Sequence, residues 1–303
     1  MAASSVRAYP RPFTTCCREV YAVDALREQV RGLLEGSVSG TPFAVRHPQC
    51  VQFTVGGKLL RAELVLGLGE VLGRCQRFNI LLAAAVELVH AASLVHDDIL
   101  DGATLRRGLP SMWRLMGMAN AVLFGDMLFF LALRLLAECD GELLEQLSRM
   151  GCRICEGEYL QELQAEKGGS LWRDYLEIAK LKTGALFAFA AAAPVPQDRV
   201  ELRRELELAG YALGAAYQIA DDFLDLRGDC ATTGKSSGQD RRLAGVSAVE
   251  VAQRCGVSPA GEVGRLLAEA ESRLEHWPEI QEVWKDYVER RLRSQMSQCV
   301  GEA

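Results

Sequence analysis

The sequence predicts an all-α protein, built as a single-domain bundle of about ten or more helices. The chain has 303 residues and is rich in alanine and leucine, with 49% hydrophobic and only 7% aromatic residues. This composition favours helices over sheets. Apolar residues recur at helical spacing, and no stretch shows the alternation that is typical of strands. We therefore expect residues 1–17 to form an irregular lead and residues 18–303 to form one all-α domain.

Helical spacing of apolar residues predicts three helices in the first third of the chain. They run over about Val20–Glu35, from just after Arg61 to about Leu72, and from Phe78 to about Leu100. The glycines and prolines of Gly36–Pro48 and Gly102–Pro110 predict loops between helices.

The remainder of the chain continues the helical pattern. Helices are predicted at Trp113–Ala137, Leu143–Glu166, Leu171–Ala193 and Val200–Leu226, with two or three more between Ala248 and Val300. The glycine-rich stretch Gly228–Gly245 is predicted to be a long loop, and loops of this length are usually functional lids or disordered.

Composition excludes several classes of function. The net charge of −6 argues against a nucleic-acid partner, which requires a basic surface. No uninterrupted run of apolar residues is long enough to predict a membrane span. The ten cysteines are scattered, and Cys152 and Cys155 are interpreted as buried, reduced thiols, which fits a cytoplasmic protein. An N-terminus with several arginines and no acid before Glu19 leaves an organellar location as the alternative.

Two carboxylate motifs dominate the chain, and both follow long apolar helices. The first comprises Asp97, Asp98 and Asp101, and the second repeats the same Asp-Asp-x-x-Asp spacing at Asp221, Asp222 and Asp225. Residues four apart stack on one helix face, so the carboxylates of each motif repel one another and lose solvation unless a cation lies between them. Mg²⁺ is the natural candidate, because it binds carboxylates together with water and phosphate oxygens.

Basic and glycine-containing motifs accompany the aspartates in a fixed order. They are Gly56-Gly57-Lys58 with Arg61, His90 before the first motif, Arg106-Arg107-Gly108 after it, Gly125-Asp126, Lys182-Thr183-Gly184, Gln218 before the second motif, and Gly234-Lys235 before Asp240. This order resembles the trans-isoprenyl diphosphate synthases, the family of farnesyl, geranylgeranyl and polyprenyl diphosphate synthases. The resemblance implies the isoprenoid synthase fold, with helices around a central cavity, and usually a homodimer.

The resemblance also implies a reaction. An allylic prenyl diphosphate ionises, and isopentenyl diphosphate attacks the cation and loses a proton, giving an all-trans geranylgeranyl or longer polyprenyl diphosphate. Three Mg²⁺ ions would bridge the allylic diphosphate to both motifs. Asp97, Asp101 and Asp221 would be direct ligands, whereas Asp98, Asp222 and Asp225 would bind the metal or its water. No nucleic acid or membrane span is implied, although a long product would be handed to membranes.

The basic residues take their implied roles from the same resemblance. Arg106, Lys182 and Lys235 would contact the allylic diphosphate. Isopentenyl diphosphate would bind through Lys58, Arg61, His90 and Arg107. Thr183 and Gln218 would stabilise the cation. Two adjacent arginines that point to different diphosphates would bring the substrates together.

Small residues precede the first motif, at the positions where bulky residues limit product length in this family. Ala92 and Ser93 stand there, so a farnesyl-sized product is disfavoured. Phe129 and Phe130 are the candidates for closing the pocket more deeply, with ordinary core packing as the alternative. The chain also departs from the family, since Leu59 and Ala62 replace an arginine and a proline, and no lysine stands near Gly245.

Two other functions stay open at this level. The first is a non-catalytic or regulatory subunit of a heteromeric synthase, although such subunits typically lose aspartates that this chain keeps. The second is a class I terpene cyclase, which pairs its first aspartate motif with a different second metal motif.

Overall fold

The computed structural model describes residues 23–167, 171–227 and 248–292, with side chains for residues 25–164, 171–223 and 248–292. Almost all of this described chain is helical, and the prediction of an all-α bundle is confirmed. The predicted lead at 1–17 and the predicted loop Gly228–Gly245, which contains Lys235, lie outside the described residues.

Seven helices and one hairpin make up the first half of the fold. The helices are α1 (Val23–Ser39), α2 (Pro42–Arg46), α3 (Gln49–Val55), α4 (Leu60–Val71), α5 (Gln76–Leu100), α6 (Met112–Met116) and α7 (Met118–Ala137). Between α5 and α6, strands β1 (Leu105–Arg106) and β2 (Leu109–Pro110) pair antiparallel.

The described part of the second half consists of helices joined by short turns. It contains α8 (Gly141–Lys167), α9 (Trp172–Ala179), a π-helical turn (Lys180–Gly184), α10 (Ala185–Ala192), α11 (Val200–Arg227), α12 (Ala248–Cys255), α13 (Pro259–Ser272), α14 (Pro278–Tyr287) and a second π-helical turn (Val288–Leu292).

Helix α5 lies at the centre of the bundle and packs along α4 and α7. It is apolar around most of its circumference, as expected for a helix that is buried on all sides. Both α5 and α7 are long and apolar enough to cross a bilayer, but most of α5 is buried inside this chain, which makes it a core helix. Helix α10 is buried along its whole length against α11.

Several local predictions need correction. The region Gly36–Pro48 is mostly helical, because α1 continues to Ser39 and Thr41 caps α2 by accepting a hydrogen bond from the Ala44 N–H at 3.3 Å. Gly117, with φ 83°, divides the predicted helix Trp113–Ala137 into α6 and α7. The loop after α5 contains the β1–β2 hairpin.

Two further predictions differ from the structure in their details. The predicted helix Leu171–Ala193 is continuous but widens at the π-helical turn, which carries Lys182 and Thr183. Cys152 and Cys155, expected to be buried, are exposed on α8.

Glycines allow the π-helical turn to lie directly against α11. A Cβ atom at Gly214 would lie 2.5 Å from the Cα of Gly184, and a Cβ at Gly210 would lie 2.5 Å from the Cα of Ala188. Because the backbones themselves are in contact, no side chain can move aside to make room. This approach fixes Lys182 and Thr183 relative to α11.

Replacing Gly214 is therefore expected to disturb both stability and the site. Gly214→Ala should lower the free energy of unfolding by about 1–3 kcal/mol, because overpacking forces the backbones apart. The matched control is Gly264→Ala, where the added methyl group meets nothing within 4 Å on α13; this change should raise stability by about 0.5–1 kcal/mol. Urea denaturation measures both, and a neutral Gly214→Ala variant would contradict the packing described.

Candidate active site

The first aspartate motif ends α5, and its middle member is paired with an arginine from the hairpin. Asp98 is fully buried. It accepts a hydrogen bond from Arg106 Nε at 2.9 Å and a second from the Arg106 Nη2 atom. Burial raises the pKa of Asp98, and the hydrogen bonds and charge of Arg106 oppose that shift. Asp98 thus holds β1 and Arg106 against the end of α5.

A glutamate that sequence reasoning missed joins the first motif. The carboxylate of Glu158 on α8 accepts a hydrogen bond from Lys182 Nζ at 2.8 Å, and the charge of Asp97 acts on it. Burial and the charge of Asp97 raise the pKa of Glu158 to about 7. Burial raises the pKa of Asp97, and the charge of Asp101 raises it further against the opposing charge of Lys182. Several negative charges therefore surround the Lys182 ammonium at this end of the bundle.

The second aspartate motif is organised by Asp222, which joins three elements. Its carboxylate accepts hydrogen bonds from the Tyr175 hydroxyl at 2.9 Å, from Gln218 Nε2 at 2.7 Å and from the Ala248 N–H at 2.9 Å. Burial raises the pKa of Asp222, although these hydrogen bonds lower it. Asp222 thereby ties α9 and the start of α12 to α11. The side chain of Asp225 lies outside the described residues.

Gln218 connects the second motif to the π-helical turn. Its Oε1 accepts a hydrogen bond from Thr183 Oγ1 at 2.5 Å, while its Nε2 donates to Asp222. Thr183 is buried. The structure therefore brings the two residues assigned to cation stabilisation into direct contact.

A positively charged cluster lies on the other side of the first motif. Arg61 at the start of α4 is buried, and its guanidinium carbon lies 4.4 Å from the centre of the Phe187 ring. Burial and the charges of Arg61, Arg107 and Arg106 lower the pKa of His90 well below its usual value. Glu87 is the buried acid whose charge acts on both Arg61 and Arg107. The cluster has more positive than negative groups and is suited to bind an anion.

Backbone geometry places Arg107 in this cluster. Arg107 has φ 52°, a left-handed conformation that is uncommon for a residue with a side chain. Cβ atoms built at Gly56 and Gly57 would lie 3.6 and 3.5 Å from its guanidinium nitrogens. Arg31 donates to the Gly57 carbonyl at 3.3 Å and so supports that loop. Lys58, beside the glycines, is exposed.

Two of the three departures from the family pattern have structural consequences. Leu59 is buried with φ 55°, so its side chain packs in the core instead of supplying a cation. The Ala62 N–H donates to Glu87 Oε1 at 2.9 Å, a hydrogen bond that a proline could not form. This chain therefore fixes Glu87 through the backbone of α4.

The predicted chain-length residues occupy different environments. Ala92 is 4% exposed, and Ser93 donates to the His90 carbonyl at 2.9 Å. Phe129 is partly buried against the core. Phe130 is 67% exposed, so it lies on the surface of this chain and cannot form the floor of an interior pocket. The prediction for Phe130 is corrected accordingly.

The carboxylates fit a divalent cation that is shared with a phosphate ligand. In the part of the chain that the structure describes, no three His, Cys, Asp or Glu side chains lie close enough to hold one ion by themselves. Mg²⁺ typically uses one or two carboxylates and completes its octahedron with water and phosphate oxygens. The mutual repulsion of Asp97, Asp101 and Glu158 is the electrostatic condition that such a cation relieves.

Comparisons with known proteins agree with this geometry. The Polyprenyl synthetase family matches residues 46–275. A geranylgeranyl pyrophosphate synthase from Geoglobus acetivorans is 34% identical over 224 residues, or 71% of this chain and 69% of that protein. A farnesyl diphosphate synthase from Escherichia coli is 39% identical over 206 residues, or 62% of this chain and 68% of that protein.

A solved structure extends the similarity over nearly the whole chain. The polyprenyl synthase from Caulobacter crescentus, complexed with calcium and isoprenyl diphosphate, superposes with a TM-score of 0.76 at 28% sequence identity. The alignment covers 91% of this chain and 99% of that one. The family match over residues 46–275 includes both aspartate motifs.

Asp98 and Asp101 are expected to differ in their effect on stability. Asp98→Ala should lower the free energy of unfolding by about 3 kcal/mol, because it leaves the charge of Arg106 unpaired in a mostly buried position. The matched control Asp101→Ala removes a partly exposed carboxylate from the same motif and should change stability by less than about 1 kcal/mol. Urea denaturation of the two variants checks this difference. Equal losses would contradict the buried Asp98–Arg106 pair.

Proposed function

Because the chain belongs to the polyprenyl synthetase family, we propose that it condenses isopentenyl diphosphate with an allylic prenyl diphosphate. The reaction depends on Mg²⁺ and yields an all-trans geranylgeranyl or longer polyprenyl diphosphate. The prediction of a prenyltransferase is confirmed at the level of the family. The single observation that supports this specific reaction is that two consecutive arginines have different partners. Arg106 pairs with Asp98, whereas Arg107 joins the cluster around Glu87.

The allylic diphosphate would lie between the two aspartate motifs. When bound, Mg²⁺ would neutralise the charge of the leaving diphosphate and would orient that group. Asp97, Asp101 and Asp221 would be the direct ligands. Asp98 and Asp222 accept hydrogen bonds from protein groups, which favours a supporting role for these two.

Basic side chains at the allylic site would bind the diphosphate oxygens. Lys182, Arg106 and Lys235 would do so, whereas Asp225 would bind a metal ion or its water. The side chains of Lys235 and Asp225 lie outside the described residues. Three Mg²⁺ ions in all would be present with the allylic diphosphate. Thr183 and Gln218 form a polar contact beside Lys182, from which they would stabilise the cation through their oxygens.

Isopentenyl diphosphate would occupy the positively charged cluster without a metal. Arg61, Arg107 and His90 would bind its diphosphate, with the exposed Lys58 closing over it. His90 stays neutral at physiological pH because its pKa is lowered, so it would donate a single N–H. Binding the two diphosphates on adjacent arginines brings the reacting carbons together and lowers the entropic barrier. The proton released from the product would pass to the departing diphosphate.

We also propose that the chain works as a homodimer in the cytoplasm. Met118, Val122, Leu123 and Phe130 are exposed on one side of α7. Apolar patches of this kind mark interaction surfaces, and a second copy of the chain would bury this one. A long product would be handed to a membrane. The sedimentation mass of the purified chain tests the dimer, because a monomer mass of 33.2 kDa would contradict it.

The reaction is tested with the purified chain alone, isopentenyl diphosphate, a labelled allylic primer and Mg²⁺. Extended prenyl diphosphates are expected, and primer returned unextended would overturn the proposal. Asp97→Ala or Asp221→Ala should nearly abolish turnover with helical content unchanged, because the leaving group would lose its metal. Turnover within a few-fold of wild type would contradict the metal assignment.

The same assay separates the two alternatives. Activity only after a second protein is added would indicate a subunit of a heteromeric synthase. A hydrocarbon formed from a prenyl diphosphate without isopentenyl diphosphate would indicate a terpene cyclase.

A substitution at Ala92 is expected to change the length of the product. Ala92→Phe should shorten the product, because a phenyl ring would project from α5 into the space of the growing chain below Asp97. Chromatography of the dephosphorylated products measures the shift. The control Val200→Ala, at the exposed start of α11, should leave the distribution unchanged. An unchanged distribution for Ala92→Phe would show that Ala92 does not face the product.

A further inference from the structure

Glu158 and Lys182 form an ion pair at the edge of the first aspartate motif. Lys182 Nζ lies 2.8 Å from Glu158 Oε2, and both side chains are less than one-fifth exposed. The charges of Asp97 and Asp101 also act on Lys182. Within the described chain, however, the carboxylate at ion-pair distance from Lys182 is that of Glu158.

The backbone fixes this pair. A Cβ atom at Gly157 would lie 2.7 Å from the backbone nitrogen of Lys182, so α8 and the π-helical turn touch without an intervening side chain. Glu158 follows Gly157 directly, and its carboxylate is therefore delivered to the Lys182 ammonium from a rigid position. Two packed helical backbones hold the ion pair.

We propose that Glu158 is a positioning residue that keeps the ammonium of Lys182 away from Asp97, so that Asp97 stays available to a divalent cation. This inference rests on the proposed function, in which Asp97 binds metal. The charge of Asp97 acts on both members of the Glu158–Lys182 pair, so the three groups form a compact set. Without Glu158, the ammonium would turn to the remaining carboxylate whose charge acts on it most strongly, since an unpaired charge is costly there. That carboxylate is Asp97, and a Lys182–Asp97 pair would compete with metal.

Metal binding to the full chain, measured without substrate, tests this role. The probe is Mn²⁺ alone, which shares the preference of Mg²⁺ for oxygen ligands, and free Mn²⁺ is followed by electron paramagnetic resonance. Glu158→Ala should weaken Mn²⁺ binding about tenfold, equivalent to about 1.4 kcal/mol. Glu158→Gln, which keeps an oxygen for Lys182, should show a smaller loss. Thermal unfolding checks that both variants fold.

A double-mutant cycle separates positioning from a general effect of charge. Lys182→Met alone should change Mn²⁺ affinity by less than about threefold, and Glu158→Ala with Lys182→Met should restore it to near wild type. If Lys182→Met instead tightens binding as much as Glu158→Ala weakens it, the effects are additive and the positioning role is overturned. A double variant as weak as Glu158→Ala would overturn it too.

The outcome for wild type distinguishes this inference from the proposed function. Wild type that binds Mn²⁺ as tightly as Glu158→Ala would overturn the role of Glu158 and leave the prenyltransferase proposal intact. Wild type that binds no Mn²⁺ in the absence of a phosphate ligand would overturn the role of Glu158, because Asp97 would then hold no ion for it to protect. The prenyltransferase proposal fails only in the prenyl-transfer assay.

Discussion

The catalytic end of this bundle is constrained by the repulsion between carboxylates in a poorly solvated interior. Three of these acids have a specific partner that sets the direction of the carboxylate. Asp98 has Arg106, Glu158 has Lys182, and Asp222 has a hydroxyl, an amide and a backbone N–H. Buried charges are tolerated only when they are paired in this way. The positions of the hairpin, the π-helical turn and the start of α12 all follow from these pairings.

Close backbone packing gives the pairings their geometry. Gly157 brings α8 against the π-helical turn, and Gly184 and Gly214 bring that turn against α11. The turn is thereby held from two sides, and its Lys182 and Thr183 have little freedom to move. Preorganised polar groups of this kind stabilise developing charge without a reorganisation cost.

Much of the fold and part of the site could be predicted from sequence because they depend on local patterns. Apolar periodicity located the long helices, and the order of charged motifs located Arg61, His90, Arg106 and Arg107. The π-helical turn could not be found, since a single widened turn leaves the apolar pattern almost unchanged. The exposure of Phe130 was missed because α7 is apolar on its inner and outer sides alike.

The remaining site roles were not predicted because they depend on contacts between residues that are far apart in the chain. Glu158 stands among other glutamates of an amphipathic helix, and nothing local distinguishes it from a solvated residue. Asp222 has the same motif spacing as Asp98, yet its hydrogen-bond partners come from α9 and α12, far away in the chain. Such roles depend on which helices meet, and that is decided by tertiary packing.

The left-handed backbone at Arg107 makes the β1–β2 hairpin a spacer of fixed length. Consecutive side chains leave the chain in different directions there, and the distance between the two arginine heads is set by one residue of backbone. Surface loops usually accept insertions at little cost. This one would not, because one added residue before Arg107 would move its guanidinium away from the cluster around Glu87. Substitutions in the pocket walls are therefore tolerated far more easily than a change in the distance between the guanidinium groups of Arg106 and Arg107.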